Sequence, residues 1–467
     1  MRRFVLSVLA VAWAMSASAA LAQEPVTDLR EIAAALAKEQ ARISELQAEL
    51  DLRRAALADL ARRLSADKAE PVTPQTLTVA APVDLKPVAV KELAAVAPAP
   101  APRFEFYGDT KVRYETLTQD YPGCIGCPDR KRGRLRLMFG AEGNLSPDFK
   151  AVMGFSAGEI NDPNSVYVNL GNKFSRKVVT WDRGYIEYRP QAARWLDLTA
   201  GKFPQSWVRS SMVFDVDFYP EGLTEKFSFD LPHGSPLTNV GMQGFQLILG
   251  EQSGDRRTTL TGEQLTGRFK VGSHLSTLIA ATAVDIERPD PLLRSLLDGT
   301  DVGVRNTNEV VLRDGLPSYA SKFRYANLIV ENRISTPWPK WPVTVAFELQ
   351  RNLGAASSRD TAKSVRVDLG RSQQPDDWFV SWHWFRSEQD AILSALGESD
   401  WRGPSNVEQQ RFEVNHMVTP NVQLGVTLYR GRTLDSSLPG SLLPPGRARA
   451  LGDTWINRMY WDVSYRY

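Results

Sequence analysis

Cysteine is nearly absent from this sequence, and the two that occur narrow its chemistry. Cys124 and Cys127 stand in the stretch YPGCIGCPD. A C-x-x-C pair can be a redox centre, half of a zinc site or a haem attachment site. Haem attachment needs a histidine directly after the second cysteine, where Pro128 stands. A zinc site needs further ligands, and no histidine is nearby in sequence. A redox pair needs a thioredoxin-like context, which is absent here. We therefore interpret the pair as a small disulfide in an exported loop.

Histidine is also scarce, which argues against an enzyme. The four histidines stand at positions 233, 274, 383 and 416, too far apart in sequence to indicate a metal site. His416 beside Asn415 is the best candidate for a catalytic residue. A histidine on a strand that faces the interior or an interface explains it more simply. We expect no enzyme activity, no cofactor and no metal.

Excess charge and long apolar segments are missing as well. Lysine and arginine total 56 against 54 acidic residues, and a net charge of +2 gives no reason to expect a nucleic-acid partner. No run of 18 apolar residues follows the N-terminus, which excludes transmembrane helices. Aromatic residues, by contrast, are plentiful, with 12 Trp, 13 Tyr and 19 Phe. Such a content is typical of membrane barrels, where aromatic side chains form interfacial girdles.

Residues 1–22 have the pattern of a secretory signal peptide. Arg2 and Arg3 form a charged start, and an apolar segment follows. The stretch Ala20-Leu21-Ala22 provides an A-x-A cleavage site before Gln23. We expect the mature chain to leave the cytoplasm, in the manner of a bacterial exported protein.

The next two segments differ from the remainder of the chain. Residues 28–66 repeat Leu and Ile at spacings of three and four, which predicts an α-helical coiled coil that oligomerises. Residues 67–102 are rich in Pro and Ala, a composition that gives a semi-rigid linker. We expect the coiled coil to lie in the periplasm. Its heptads alone do not choose between a dimer and a trimer.

From residue 103 onwards the apolar period changes to two, which indicates β-strands. In RGRLRLMFGAEG, for example, Leu135 and Leu137 alternate with Arg134 and Arg136. The segments are about ten residues long, and very short connections alternate with long ones, as in outer-membrane barrels. We predict an all-β fold, a 16-stranded antiparallel transmembrane β-barrel over residues 103–467. The predicted strands are 103–116, 132–144, 149–158, 180–190, 194–203, 222–230, 240–251, 256–270, 273–285, 320–335, 342–352, 363–371, 377–388, 407–418, 421–432 and 453–467. The predicted long loops, all at one end, are 117–131, 159–179, 204–221, 286–319, 389–406 and 433–452.

The last strand, MYWDVSYRY, keeps its alternation up to the final residue. Trp461, Val463, Tyr465 and Tyr467 share one face, which we expect to meet lipid. The closed barrel explains this ending, because its last strand must pair with its first. The same four residues resemble the C-terminal signal that the outer-membrane assembly machinery reads, with Tyr in place of the commoner Phe.

The inner face of the predicted strands is charged, as expected for a water-filled channel. The candidate pore-lining residues are Arg103, Lys111, Arg113, Arg134, Arg136, Lys150, Arg183, Arg189, Arg366, Arg458 and Arg466. Cross-strand salt bridges explain most of them equally well. Arg134, Arg136, Arg183 and Arg189 could form one ladder, which predicts a weak anion preference. Loops 204–221 and 286–319 are the candidates to fold inward, and the acids of the first would favour cations.

Four stretches resemble the putative porin family of Gram-negative bacteria, distant relatives of the phosphate-selective porins. These stretches are FYGDTKVRYE, RGRLRLMFGAEGNLSPDFKAVMGFS, LTAGKFPQSW and YPEGLTEKF. The resemblance covers roughly the 360 residues from Phe104 on. It implies a sixteen-stranded homotrimer in the outer membrane with a pore for small hydrophilic solutes. The alternative is a structural tether, in which the coiled coil holds the outer membrane to the peptidoglycan and the barrel is only an anchor.

Overall fold

The computed structural model describes residues 104–118, 129–171, 173–232, 234–250, 257–298, 306–400, 403–435, 438 and 455–467. The predicted signal peptide, coiled coil and linker lie outside the described residues, as do Arg103, Cys124, Cys127 and His233. In the part of the chain that is described, no helix is both long and apolar enough to cross a membrane.

Sixteen strands form the wall of the described barrel, and we call them the wall strands. They are β1 (Phe104–Thr118), β2 (Arg130–Asn144), β3 (Phe149–Ala157), β5 (Val179–Tyr188), β6 (Leu196–Lys202), β7 (Glu221–Asp230), β8 (Leu237–Gly250), β9 (Thr258–Val271), β10 (Leu275–Glu287), β13 (Phe323–Ile334), β14 (Val343–Asn352), β15 (Thr361–Gly370), β16 (Trp378–Ser387), β17 (Val407–Met417), β18 (Val422–Thr433) and β19 (Ile456–Arg466). The remaining elements lie in the connections: β4 (Tyr167–Asn169), β11 (Val310–Arg313), β12 (Leu316–Tyr319), the helix α1 (Asp290–Asp298) and two 3₁₀ turns, Gln191–Ala193 and Ser394–Leu396.

The wall strands form a closed antiparallel barrel. Each pairs with its neighbours along the chain, and β19 returns to pair with β1. The final residue completes this seam, because the Tyr467 and Gly108 main chains exchange hydrogen bonds of 2.8 and 3.1 Å. The prediction of sixteen strands is confirmed, and each predicted strand agrees with an observed one to within three residues at either end.

The two faces of the wall differ as the alternating sequence predicts. Along β1, Val112 and Tyr114 are about half exposed on the outer face, whereas Arg113 and Glu115 between them are buried inside. The same alternation holds on β19, where Trp461 and Val463 point outward and Tyr460 inward. An apolar exterior around a polar interior is the arrangement of barrels that sit in a bilayer.

The connections divide the barrel into a short-turn end and a long-loop end. The chain enters β1 and leaves β19 at the short-turn end, where the connections are 145–148, 189–195, 231–236, 272–274, 335–342, 371–377 and 418–421. The opposite end carries all the predicted long loops, together with two shorter connections at 251–257 and 353–360.

The described parts of three long loops fold back into the barrel and pack together: 203–220, 288–298 with 306–322, and 388–400 with 403–406. In the first, Trp207 stacks on Phe245 of β8 with ring centroids 4.3 Å apart. The amide of Gln264 on β9 both donates to and accepts from the Val208 main chain, each over 2.8 Å. In the third, Ile392 and its neighbours are fully buried. The loops therefore form a fixed filling inside the barrel.

This filling leans to one side of the barrel. Its apolar side chains pack on inward residues of β8–β10 and β13–β16, among them Leu260, Phe323 and Phe385. The inner faces of β1, β2 and β19 instead carry ionised groups such as Arg113 and Asp462. The inner faces of β1, β2 and β19 are therefore the more polar part of the barrel interior.

Candidate functional site

Basic side chains cover the inner face of three neighbouring strands, β1, β2 and β19. Arg113 lies directly opposite Arg134 on β2, and one step along the strand Lys111 lies opposite Arg136. We call this surface the basic wall; its members are Lys111, Arg113, Arg132, Arg134, Arg136 and Arg458. All but Arg132 are pore-lining candidates from the sequence.

Arg113 is the most firmly held member of the basic wall. Its Nε donates to Asp462 Oδ1 on the adjacent strand over 2.8 Å, and its Nη1 donates to Asp400 Oδ2 over 3.3 Å. Its guanidinium lies between two rings, with 4.3 Å to the centroid of Tyr167 and 3.9 Å to that of Tyr460. Such contacts stabilise a cation through the ring faces. The side chain is therefore fixed in direction as well as in charge.

Glu115 joins the other arginines of the wall. Its fully buried carboxylate accepts from Arg132 at 2.8 Å and approaches Arg134 at 3.7 Å and Arg458 at 3.9 Å. The remaining contacts are Arg136 Nε to Asp109 Oδ1 at 2.7 Å and Lys111 Nζ to Asp462 Oδ2 at 4.0 Å. Because every base of the wall has an acidic partner, the wall is a bonded network rather than a row of free cations.

Two of the inward-folded loops direct carboxylates at this wall. We call these four carboxylates the acidic face: Asp215, Asp217, Glu398 and Asp400. The Ser399 main chain donates to Asp215 Oδ2 over 2.9 Å, and Asp215 N donates to the Leu396 carbonyl over 2.9 Å. These bonds join loop 203–220 to loop 388–406. Tyr460 donates to Asp400 over 2.9 Å, which ties the acidic face to the barrel wall.

The carboxyl groups of the acidic face differ in proton affinity. Burial, with Asp400 nearby, raises the pKa of Asp217 to about 6 even though Arg136 opposes the shift. Burial would also raise the pKa of Asp400, but Arg113, Arg134 and Arg458 outweigh it and lower that pKa to about 2. Burial raises the pKa of Asp215, with the charge of Asp217 adding to the effect, and burial raises the pKa of Glu398, with the charge of Asp215 adding to it. Only part of the acidic face is therefore ionised at mildly acidic pH.

Asp162, in the loop before β4, belongs to the same region. Burial raises its pKa to about 6, while Arg134 of the basic wall acts in the opposite direction. Its neighbour Asn164 donates to the Ala395 carbonyl over 3.3 Å and accepts at its own carbonyl from Ser399 over 3.1 Å. Loop 158–178 is thus the third contributor of charge beside the wall.

The other described pore-lining candidates are not members of the basic wall, and all of them except Arg189 are on wall strands. Arg183 on β5 lies over the rings of Tyr107 and Tyr219, at 5.4 and 5.1 Å from their centroids. Arg189 falls in the turn after β5 and pairs with Asp197 at 2.8 Å. The rest pair as follows: Lys150 with Glu142 at 2.8 Å, Arg366 with Glu331 at 2.7 Å, and Arg466 with Asp109 at 3.9 Å. The structure thus brings Arg134 and Arg136 together with Lys111 and Arg113 more closely than with Arg183 or Arg189.

The sequence predicted a long loop at 389–406 but not that it folds inward, and it did not point to the two tyrosines around Arg113. One feature could have pointed to the loop: its apolar run Ala391–Leu396 is unusual in a connection that should face water. Nothing local marks Tyr167 or Tyr460, because their role depends on strands that are distant in sequence.

Two of the histidines lie on the neighbouring strands β16 and β17. His416 is on the outer face of β17 and stacks on Trp378 with ring centroids 4.3 Å apart. His383 is buried on the inner face of β16 near Phe385. Within the described residues no group of three or more His, Cys, Asp or Glu side chains could hold a metal ion.

The chain was compared with known sequences, structures and families. None of the curated proteins matches the chain in sequence. Among solved structures, OmpF of Salmonella typhi in complex with daunomycin aligns over 78% of this chain and 97% of its own, at 9% identity and a TM-score of 0.44. OprB of Pseudomonas putida aligns over 78% and 94%, at 10% identity and 0.47, and OmpT of Vibrio cholerae over 80% and 100%, at 7% identity and 0.44. The profile of the putative porin family matches residues 108–247, so the resemblance to that family is confirmed for this part of the chain.

Proposed function

We propose that this protein is an outer-membrane channel through which small hydrophilic solutes and ions diffuse passively. One observation carries the proposal: inside a closed barrel with an apolar exterior, the basic wall and the acidic face oppose each other. Asp400 and Arg113, 3.3 Å apart, mark where loop and wall meet. Fixed charges of both signs beside the path replace part of the hydration shell of a passing solute, as in channel constrictions. The protein acts without covalent chemistry.

The pore-lining role falls to the basic wall and the acidic face, with Lys150 and Arg183 further along the route. We expect a weak anion preference at neutral pH, because arginines keep their charge while Asp215, Asp217 and Glu398 bind protons more readily than ordinary carboxyls. The ion pairs within the wall keep this preference small, since each guanidinium is partly neutralised by its partner.

The setting of the proposed channel is the outer membrane of a Gram-negative bacterium. The exposed apolar face of the wall strands, including Val463 at 51% exposure, would contact outer-membrane lipid. Trp461, Val463, Tyr465 and Tyr467 would be recognised by the outer-membrane assembly machinery. A homotrimer is the assembly that the family resemblance implies.

Planar bilayers provide the test of channel activity. Purified, folded protein should give stepwise increases in ionic current, and protein unfolded by boiling should give none. Folding is checked separately by the shift in gel mobility that barrels show on heating. A protein that is folded and inserted in the bilayer but produces no steps would contradict the proposal.

A further inference from the structure

Four bases that lack an acidic partner lie close together at the long-loop end of the barrel. They are Lys131 at the start of β2 and, in the loop before β5, Lys173, Arg176 and Lys177. We call these four residues the basic cap. Lys177 donates to Ser175 Oγ over 3.4 Å, and among the described residues no acidic side chain pairs with the cap. Every base of the inner basic wall, by contrast, has an acidic partner. The charge of the cap is therefore open to a partner outside the chain.

Two main-chain hydrogen bonds bring these bases to one part of the rim. Leu170 N donates to the Gly133 carbonyl over 2.8 Å, so the loop leaves the wall beside the end of β2 that carries the outward Lys131. Gly158 N donates to the Val178 carbonyl over 3.4 Å, so the loop rejoins the wall at the start of β5. Only β3 separates β2 from β5, which places these two strands about 10 Å apart. The four bases therefore form one patch.

Below the basic cap the outer face of the barrel carries a row of aromatic rings. Phe139 on β2, Phe155 on β3 and Trp181 on β5 lie directly opposite one another in register. The ring centroids are 5.5 Å apart for the two phenylalanines and 5.8 Å apart for Phe155 and Trp181. Trp181 is 60% exposed, and exposed apolar side chains continue through Val179 to Val178. Aromatic side chains on an outer face mark the level at which lipid tails meet headgroups.

The change from apolar to basic side chains along this segment fits a membrane surface. From Trp181 back to Val178 the exposed side chains are apolar, and from Lys177 back to Lys173 three of five residues are basic. Among these bases Phe174 is fully exposed, in a turn where its φ is 56°. Bases at headgroup level beside exposed apolar groups are the combination that binds anionic lipid.

We propose that the basic cap binds the phosphate groups of lipid A, the phosphorylated glycolipid of the outer leaflet, with Phe174 beside its acyl chains. The inference rests on the outer-membrane setting proposed above, in which the long-loop end faces the cell exterior. The outer leaflet there consists largely of this glycolipid, whose phosphates form a negatively charged layer. The guanidinium of Arg176 can donate two parallel hydrogen bonds to one phosphate, and the lysines add compact positive charges.

Native mass spectrometry in detergent measures how much lipid stays bound to the folded protein. Wild-type protein refolded without lipid, and then supplied with diphosphorylated lipid A, should retain it. The triple variant Lys173→Gln, Arg176→Gln, Lys177→Gln should retain at least about tenfold less, because each base near an anionic surface contributes to binding. These side chains have no acidic partner to lose, so the variant should fold, as the shift in gel mobility on heating checks. Retention equal to wild type would overturn the proposal.

The control variant is Arg194→Gln, Lys270→Gln, Lys340→Gln. It removes the same three charges from exposed residues near the short-turn end and should retain lipid A like wild type. A loss equal to that of the first variant would show that net charge, and not the basic cap, binds the lipid.

The ligand is varied in the same experiment. Lipid A without its phosphates should bind wild type as weakly as the diphosphorylated form binds the triple variant. Equal retention of both forms would contradict a phosphate site, and displacement of lipid A by inorganic phosphate would indicate a site for free anions instead. Bilayer current is recorded for each sample. Retained lipid without current would refute the proposed channel alone, and current without retained lipid would refute the lipid site alone.

Discussion

At the scale of single residues, charge in the barrel interior is arranged in pairs. Arg113 has two carboxylate partners and two aromatic rings, and Glu115 has three arginine partners. Removing one member leaves a buried partner without its counter-charge, which is more costly than losing a surface ion pair. The alternation of the sequence predicted which side chains point inward. It could not predict these pairings, because Asp400 and Tyr167 come from loops whose paths depend on tertiary packing.

The basic wall should govern ion selectivity. In the double variant Arg134→Ala, Arg136→Ala, the unbalanced charge of Asp109 and Glu115 should shift the reversal potential under a KCl gradient towards cations. Each charge about 8 Å from a passing ion contributes ~0.5 kcal/mol in water, so we expect a change of about threefold in the permeability ratio. The control is the double variant Arg333→Ala, Arg366→Ala, which removes two positive charges from β13 and β15. An equal shift in both variants, or none in the first, would show that the wall does not set selectivity.

Selectivity should also depend on pH through two loop carboxyls. Asp162 and Asp217 have pKa values raised to about 6, so they are neutral below that pH and charged above it. The arginines stay protonated throughout, and the anion preference should therefore grow as pH falls from 8 to 5. Reversal potentials measured across this range should show a midpoint near pH 6. The variant Asp162→Asn, Asp217→Asn should retain the low-pH selectivity at every pH, and an unchanged midpoint in it would exclude these two groups.

At the scale of whole elements, loop 388–406 connects the filling to the wall. Asn308 donates to the carbonyls of Gln389 and Ile392, both over 2.8 Å, and Leu393 N donates to the Tyr325 hydroxyl over 2.5 Å. Strand positions were predictable because alternation is a local signal. The inward path of this loop was not, since it depends on partners some 70 to 90 residues away in sequence.

Shortening this loop should widen the channel. Replacing residues 390–399 by two glycines removes Glu398 and the buried apolar run, and unitary conductance should rise by about twofold because the constriction is lost. The measurement is single-channel current at fixed salt. Asp400→Ala is a milder variant that removes the contacts of this carboxylate with Arg113, Tyr460 and Arg458, and we expect noisier current from it. Unchanged conductance in both would mean that the loop does not narrow the route.

The seam between β1 and β19 depends on a glycine. A side-chain carbon at Gly108 would lie 2.2 Å from the Tyr467 ring, so a larger residue there requires this half-exposed ring to move. Gly108→Val should destabilise the barrel by up to about 1 kcal/mol, because the ring loses its packing on the seam. Thr110→Val, outward on the same strand, is the control. The temperature at which each variant loses its folded gel mobility measures the effect, and equal temperatures would contradict it.

At the scale of the whole molecule, the channel and the tether make separable predictions. Deleting residues 24–100 removes the predicted coiled coil and linker and leaves the barrel. We expect unchanged unitary conductance, because the basic wall and the acidic face lie within residues 104–467. Co-sedimentation with purified peptidoglycan, compared before and after the deletion, tests the tether. Loss of current on deletion would show that the barrel needs its N-terminal segment.

The closed seam has a consequence for the order of events in biogenesis. Arg113 and Asp462, which bond across it, are 349 residues apart in sequence. Contacts of such separation form slowly, since the chain between them must be ordered first. In the export that the proposed outer-membrane location requires, which starts at the N-terminus, β1 must wait for β19 until the entire chain has crossed the inner membrane. During that period the edge strands have backbone hydrogen-bonding groups without partners, and the protein must be kept from aggregating. The barrel can close only after β19 has been exported.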